Sequence, residues 1–154
     1  MGCGTGLCAP LFRPIARTLH GVDLSPRMID KARDRSLYDS LEVSDILTSL
    51  QAYDAAWDLV VSTDVFIYVG GLRAVFAACS AALRPGGMFA FSVESATESE
   101  AFVLTGAGRY AHSIAYIQQL ATDSGFSELA QRSVVVRKDK GRVDVNGYIF
   151  LLRR

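Results

Sequence analysis

The chain has 154 residues, half of them hydrophobic, and this length predicts one domain that buries about 70% of its unfolded surface. Sixteen basic and sixteen acidic residues leave no net charge, so we expect neither nucleic acid nor a membrane surface as a partner. The three cysteines form no CxxC pair, and no metal site is predicted. No membrane span or signal peptide is evident, so we expect a cytoplasmic protein. The expected partner is a small molecule.

Glycines at alternate positions, Gly2, Gly4 and Gly6, open the chain, and an apolar-periodic run follows them up to Leu19. Glycine adopts positive φ without a Cβ clash and lets a ligand lie directly against the backbone. The segment therefore predicts a tight, nucleotide-cradling turn that opens a helix, with a bend at Pro14. The predicted apolar face of that helix consists of Leu7, Phe12, Ile15, Ala16 and Leu19.

Only Met1 precedes this glycine loop, although such loops follow a buried parallel strand at the centre of a doubly wound sheet. A five-residue strand of this kind contributes up to about 10 kcal/mol through apolar burial. That is comparable to the net stability of a whole domain, about 5 to 15 kcal/mol. We therefore expect the first central strand to be missing and the chain to be the carboxyl-terminal part of a longer protein.

Strands and helices alternate along the next part of the chain, which predicts an α/β protein with a mostly parallel sheet covered on both faces. The expected strands are His20–Leu24, Leu41–Val43, Trp57–Ser62 and Met88–Val93, and the expected helices are one that begins at Ser25-Pro26, one from Leu72 to Leu83 and one from Ser113 to Ser124. Ala96 to Gly108 is expected to form a loop or lid. A terminal antiparallel hairpin is expected from Ser133–Arg137 and Val143–Leu152, around a turn of Lys138 to Arg142.

These features together resemble the class I S-adenosylmethionine-dependent methyltransferases, over nearly the whole chain. The segments that carry the resemblance are Gly2-Cys3-Gly4-Thr5-Gly6 for the first motif, Val22-Asp23-Leu24-Ser25 with Met28 for the ribose segment, Val43-Ser44-Asp45-Ile46 for the adenine segment, and Leu83-Arg84-Pro85-Gly86-Gly87 for a helix-to-strand turn. The resemblance implies a Rossmann-like methyltransferase fold in one domain, residues 1–154, with strand order 3-2-(1)-4-5-7-6. The parenthesis marks the missing first strand.

Two further segments, Asp64 to Val69 and Gly108 to Ser113, resemble bacterial methyltransferases that carry tetratricopeptide repeats before the catalytic domain. The resemblance to the class I methyltransferases implies S-adenosylmethionine as cofactor. The residues implied to bind it are Gly2, Cys3, Gly4, Gly6, Asp23, Leu24, Met28, Asp45, Ile46 and Thr63.

The chemistry of the cofactor suits two carboxylates in this set. Asp23 lies at a strand tip, where its carboxylate can accept both ribose hydroxyls through charge-assisted hydrogen bonds of about 1.5 to 3 kcal/mol each. Asp45 can accept from the adenine amino group. The alternatives are that Asp23 is an exposed or helix-capping acid and that Asp45 is an ordinary turn residue. Met28 covers the adenine face or belongs to the helix core.

Candidate acceptor contacts are Phe66, Tyr68 and Tyr110, although aromatic residues at this spacing are also typical of a core. Methyl transfer to an activated sulfonium carbon gains much of its rate from positioning, and a base is needed only if the acceptor must lose a proton. His112, near the expected lid, is the candidate catalytic base, with a structural histidine as the alternative.

The leading hypothesis is methyl transfer to a small-molecule acceptor. An NAD-dependent oxidoreductase is the second, but Leu7 stands where the dinucleotide motif has its third glycine. A non-catalytic or truncated cofactor-binding domain is the third. Nucleic-acid methylation is disfavoured because Thr63-Asp64-Val65-Phe66 replaces the expected Asn/Asp-Pro-Pro-Tyr motif. The sequence leaves the acceptor and the oligomeric state open.

Overall fold

A computed structural model describes residues 1–97, 99–138 and 144–154 of the chain. The chain divides into two compact units, Met1–Ala52 and Tyr53–Arg154. Among the described residues, no helix combines the length and the apolar composition that a membrane span requires.

The first unit contains two parallel strands, β1 (His20–Asp23) and β2 (Ser40–Val43). Its helices are α1 (Ala9–Phe12), α2 (Pro26–Arg33) and α3 (Ile46–Gln51). Helix α2 begins as the sequence predicts, with Ser25 at the N-cap and the proline in the first turn, where its missing N–H has no cost. Helix α3 was not predicted, because it is only six residues long.

Helix α1 is much shorter than the predicted run from Leu7 to Leu19. Pro14 has no N–H to donate to the next helical hydrogen bond, and the N–H of Ile15 donates only three residues back, to the carbonyl of Phe12. The chain therefore leaves the helix at this point. Leu7 and Ile15 of the predicted apolar face are 71% and 79% exposed, so that expectation is wrong.

The second unit contains a four-stranded sheet in the order β3 (Trp57–Ser62), β4 (Leu83–Glu94), β8 (Asp144–Arg153) and β7 (Ser127–Lys138). Helices α4 (Arg73–Ala82) and α5 (Ile114–Asp123) and a 3-10 turn, Phe66–Tyr68, complete the unit together with a small hairpin. That hairpin, β5 (Phe102–Leu104) with β6 (Tyr110–His112), begins inside the stretch predicted as a loop or lid. Ser113 caps α5, and Gly125 follows it with φ +76°, as predicted.

The predicted order counts the missing first strand, so its strands 2 to 7 correspond to β1, β2, β3, β4, β7 and β8. Within each unit the strand neighbours agree with that order, since β1 pairs with β2 and the other sheet runs β3-β4-β8-β7. The described strands make two parallel and three antiparallel pairings, so the expectation of a mostly parallel arrangement is corrected to a mixed one. The reason is that β8 pairs with both β4 and β7 in antiparallel register. The predicted terminal hairpin is confirmed, while positions 139–142 of its predicted turn lie outside the described residues.

The core of the second unit is an aromatic cluster. Strand β4 alternates, so that Phe89, Phe91 and Val93 point inward, and each is 0% or 1% exposed. The rings of Phe89 and Phe91 lie 4.5 Å apart, and that of Phe91 stacks on Phe150 of β8 at 5.3 Å. Each such buried side chain stabilises the fold by about 2 to 3 kcal/mol. Together they hold in place strand β4, which ends at Glu94.

Candidate functional site

The glycine loop of the first unit is attached to β1 by two backbone donors. The N–H of Cys3 donates to the carbonyl of Val22 at 2.9 Å, and the N–H of Gly4 donates to Oδ2 of Asp23 at 2.8 Å. Gly2, Gly4 and Gly6 have φ of +59°, +54° and +77°. A side chain at these positions would strain the backbone, which explains the alternating glycines. Burial raises the pKa of the Cys3 thiol, so this thiol is neutral at neutral pH.

The glycines of the loop have different surroundings. A Cβ at Gly4 would meet no atom within 4 Å, whereas a Cβ at Gly6 would lie 3.1 Å from side-chain atoms of Arg35 and Tyr38. Gly6 is therefore required by packing inside the unit. Gly4 borders open space, so a ligand can lie against its backbone, and this is the fit expected for a nucleoside group.

Asp23 is held by backbone donors on both of its oxygens. Oδ2 accepts from Gly4, and Oδ1 accepts from the N–H of Ser25 at 2.9 Å. A carboxylate offers about four acceptor positions, so about two remain for other donors. The half-buried carboxylate is thus oriented before any ligand binds, at the carboxyl end of β1 where ligands of open α/β sheets gather.

Asp45 is the N-cap of α3. Its Oδ1 accepts from the N–H groups of Leu47 and Thr48 at 2.9 and 3.2 Å. Asp45 therefore has a structural role as a helix cap, which differs from the ordinary turn residue considered from the sequence. Within the described part of the chain Oδ2 has no hydrogen-bond partner, so one carboxylate oxygen of this exposed residue remains available beside Ile46.

Two apolar side chains, one and five residues after Asp23 in the sequence, are exposed. Leu24 is 72% exposed and Met28, on α2, is 40% exposed, while Ile29 and Ala32 of the same helix are buried. Met28 therefore does not belong to the helix core, which was the alternative. Exposed apolar side chains beside an oriented carboxylate suit a ligand that has both a flat apolar ring and hydroxyl groups.

The predicted acceptor residues of the second unit have different environments. Phe66 is 0% exposed, and its ring lies 5.6 Å from that of Phe91, so the structure places it in the aromatic core rather than on a surface. Tyr68, two residues on in the same 3-10 turn, is 70% exposed. Tyr110 is half-buried, with its ring 6.0 Å from that of Phe102. Thr63 is exposed at the carboxyl end of β3.

His112 is completely buried, and its Nε2 lies 3.0 Å from the carbonyl of Val69 and 2.9 Å from that of Gly70. Because carbonyls only accept, Nε2 carries the proton and donates it. Nδ1 is buried and has no partner among the described residues. Burial lowers the pKa of His112, although the two carbonyls act in the opposite direction, so the ring is neutral at neutral pH. This arrangement attaches the segment after Tyr68 to β6.

A cluster of charged side chains in the second unit was missed by the sequence-based prediction. Arg137 of β7 donates to Oδ1 of Asp64 at 3.2 Å and also to Oε1 of the buried Glu94. Glu94 and Asp64 were recognisable as the ends of strands, but nothing local marks Arg137. No group of three or more His, Cys, Asp and Glu side chains that could hold a metal ion occurs in the ranges that the structure describes.

Comparison with known sequences connects these features. A protein-family model described as "Methyltransferase domain" matches residues 1–91, which is more than half of the 154-residue chain. A ubiquinone biosynthesis O-methyltransferase of Methylocella silvestris is 31% identical over 110 residues, covering 69% of this chain and 43% of the relative. The chain therefore spans less than half the length of that relative.

Solved structures show the same fold. A SAM-dependent methyltransferase of Methanosarcina mazei superposes with a TM-score of 0.79 at 16% identity, covering 99% of this chain and 89% of the other. Magnesium protoporphyrin IX methyltransferase of Synechocystis PCC 6803, solved with bound SAH, gives a TM-score of 0.76 at 20% identity, covering 99% and 71%. The architecture is the Rossmann-like methyltransferase fold, and the matched family model shows that the chain belongs to the methyltransferase domain family.

Proposed function

We propose that this protein transfers a methyl group from S-adenosylmethionine to a small-molecule acceptor. The observation that carries the proposal is the hydrogen bond from Gly4 to Asp23, which orients a strand-end carboxylate beside a loop open to a ligand. The family membership, and the methyltransferases with the same fold, support the reaction class. The absence of net charge supports a small molecule rather than nucleic acid as the acceptor.

The chain offers a suitable donor or acceptor for each part of the cofactor. Asp23 is proposed to accept the ribose hydroxyls with its remaining lone pairs, and Oδ2 of Asp45 is proposed to accept from the adenine amino group. The Ile46 backbone N–H donates to the adenine ring. Leu24 and Met28 are proposed to contact apolar surface of the cofactor, and the loop from Gly2 through Cys3 to Gly6 is proposed for the methionine half. Thr63 of the second unit stays a predicted cofactor contact.

When bound, S-adenosylmethionine supplies a methyl group already activated on a sulfonium. The residues of this chain then have to hold and orient the two reactants, which lowers the barrier by several kcal/mol when the reacting atoms are aligned. Preorganisation of Asp23 by two backbone donors contributes to this, because it reduces the cost of ordering that side chain when the cofactor binds.

The acceptor side is proposed to lie in the second unit, at the exposed ring of Tyr68 and the half-buried ring of Tyr110. The neutral, buried His112 and the core ring of Phe66 are proposed to support this surface from within rather than to contact the acceptor. Small-molecule acceptors agree with the names of the ubiquinone and magnesium protoporphyrin IX enzymes.

Both units are proposed to belong to one catalytic domain, because the family match over residues 1–91 runs across the boundary after Ala52. A cytoplasmic location also stays a proposal, based on the composition. The resemblance to methyltransferases that carry tetratricopeptide repeats stays a prediction.

The test is isothermal titration of the folded chain with S-adenosylhomocysteine and, separately, with NAD. We expect micromolar affinity for S-adenosylhomocysteine and no binding of NAD, with circular dichroism as the check that the chain is folded. Binding of NAD alone would replace the proposal by an oxidoreductase. A folded chain that binds neither compound would support a non-catalytic domain.

A further inference from the structure

The glycine loop is supported from two parts of the first unit. At the end of β1, the carboxylate of Asp23 accepts from the N–H of Gly4, as described above. The second support is the connection between α2 and β2, residues 34–39, which contains none of the predicted cofactor contacts. Two side chains of this connection, Arg35 and Tyr38, reach the loop.

The ring of Tyr38 lies between two glycines. A Cβ at Gly6 of the loop would lie 3.1 Å from Cε2 of Tyr38, and a Cβ at Gly21 of β1 would lie 2.9 Å from Cε1, on the opposite edge of the same ring. Both distances are shorter than ordinary contacts of a Cβ atom. A side chain at either glycine would therefore displace the ring, so the two glycines make room for one aromatic side chain that packs against both the loop and the strand.

Arg35 supports the same loop through its backbone. Nε of Arg35 donates to the carbonyl of Thr5 at 2.5 Å, and its Cδ would lie 3.1 Å from a Cβ at Gly6. The N–H of Gly6, which belongs to the same peptide group as the carbonyl of Thr5, donates to the carbonyl of Cys3 at 2.9 Å. This peptide group is thus hydrogen-bonded at both its oxygen and its nitrogen, which fixes its orientation.

These contacts act on the turn that borders the ligand space. The hydrogen bond from Gly6 to Cys3 closes a four-residue turn, and Gly4 is one of its two central residues. A Cβ at Gly4 would meet no atom within 4 Å, so this is the residue with open space beside it. Arg35 and Tyr38 contact the end of the same turn, at Gly6, and therefore restrain the position of Gly4.

A turn that is rich in glycine needs such restraints more than other turns do. Glycine loses more backbone freedom on ordering than any other residue, and each segment that becomes ordered only when the ligand binds lowers the affinity. A loop that its neighbours hold in advance avoids part of this loss.

We propose that Arg35 and Tyr38 are positioning residues that hold the glycine loop in the conformation in which it binds S-adenosylmethionine. The proposal rests on the methyl-transfer function proposed above and concerns the first unit alone. Both residues lie within residues 1–91, which the family model matches. Because Arg35 is exposed, its loss is expected to weaken cofactor binding in a chain that still folds.

The first test observes the loop without any ligand. Cys3-Gly4 is the only Cys-Gly pair in the sequence, so a chain labelled with 13C at the cysteine carbonyls and with 15N at the glycines gives one correlated amide signal, that of Gly4. We expect Arg35→Ala and Tyr38→Ala to shift or broaden this signal, because Gly4 then leaves the carboxylate of Asp23 for part of the time. Tyr38→Phe should leave the signal in place. Burial raises the pKa of Tyr38 to about 12, so the phenol is neutral and phenylalanine keeps the ring without losing a charge.

The second test is isothermal titration with S-adenosylhomocysteine. Arg35→Ala and Tyr38→Ala should each weaken binding about tenfold, the factor that corresponds to ordering about one further backbone residue when the ligand binds. Tyr38→Phe should restore the affinity of the unchanged chain. Arg33→Ala is the matched control for Arg35→Ala, because Arg33 is exposed at the end of α2 and pairs with Asp30, 2.8 Å away.

The two measurements separate positioning from folding. A merely structural role would lower the free energy of unfolding in urea but leave the Gly4 signal and the affinity of the folded chain unchanged, and this result would overturn the proposal. A shifted Gly4 signal with unchanged affinity would also overturn it, while leaving the proposed function intact. Failure of the unchanged chain to bind S-adenosylhomocysteine would overturn both. Arg35→Ala decides the outcome even where Tyr38→Ala does not fold.

Discussion

The backbone N–H of Gly4 donates a hydrogen bond of 2.8 Å to the carboxylate of Asp23, 19 residues later in the chain. This one contact joins the turn that borders open space to the strand end that carries the acid. It makes the glycine loop and the ribose-binding candidate parts of the same small structure, and it shows why neither motif is informative alone.

Replacement of Asp23 by alanine is expected to weaken binding of S-adenosylhomocysteine at least tenfold. The variant loses both the hydrogen bonds proposed for the ribose hydroxyls and the acceptor that orients Gly4, each worth about 1.5 to 3 kcal/mol when charge-assisted. Isothermal titration measures the change. Asp30→Ala is the control, because Asp30 is exposed on α2, outside the predicted cofactor contacts, and pairs with Arg33, 2.8 Å away. Equal affinities of the two variants would remove the ribose assignment.

Two substitutions of Asp45 separate its capping role from its proposed contact with adenine. Asp45→Ser retains a good N-cap, so its free energy of unfolding should be close to that of the unchanged chain, while Asp45→Ala should lose about 1 kcal/mol. Both should bind S-adenosylhomocysteine more weakly, because both lack the Oδ2 atom that is proposed to accept from the adenine amino group. Urea unfolding and titration calorimetry give the two quantities, and unaltered affinity of the serine variant would leave Asp45 with a capping role alone.

Truncation to alanine should lower the free energy of unfolding strongly at Phe66 and very little at Tyr68. Phe66→Ala leaves a cavity next to Phe91 and should lower the free energy of unfolding by about 3 to 5 kcal/mol. Tyr68→Ala removes a ring that is 70% exposed and should change that free energy by no more than about 0.5 kcal/mol. Urea denaturation followed by circular dichroism makes the comparison. A stable Phe66→Ala variant would contradict the core placement.

The burial of His112 predicts a pH dependence of stability. Burial lowers the pKa of His112 in the folded chain below its ordinary value of about 6.5, so the unfolded chain binds more protons just below that pH. The stabilisation is complete above pH 6.5 and is lost progressively as the pH falls through that value toward the folded pKa. Urea unfolding at pH 7.5 and 5.5 should show this loss.

The matched variant is His112→Gln, whose amide can still donate to the carbonyls of Val69 and Gly70 but does not titrate. It should lose less stability between the two pH values than the unchanged chain does. Asp39 and Asp123 do not affect the comparison, because hydrogen bonds lower the pKa of both carboxyls. Asp39 accepts from the Leu19 N–H and from Arg13, and Asp123 accepts from Arg73. They titrate below this window.

The amino-acid sequence alone determined the features that depend on local backbone chemistry. The alternating glycines predict the positive φ at Gly2, Gly4 and Gly6 because only glycine adopts it without a clash. Ser25-Pro26 and Ser113 mark helix starts, and the β-branched run at Trp57–Ser62 marks a strand whose bounds the structure reproduces. These elements, together with the motif segments, carried the resemblance to the family, and that resemblance implied the sheet neighbours.

Only the tertiary structure decided which side chains of these elements meet, because that depends on pairings between distant segments. Phe66 and Tyr68 are two residues apart, yet the packing of β4 buries one and leaves the other exposed. The proton of His112 is on Nε2 because two carbonyls from 42 and 43 residues earlier face that atom. Arg137 joins Asp64 from 73 residues away and Glu94 from 43, through a bulge that no sequence pattern marks. Local propensity acts over a few residues, whereas these contacts form only when the sheet has assembled.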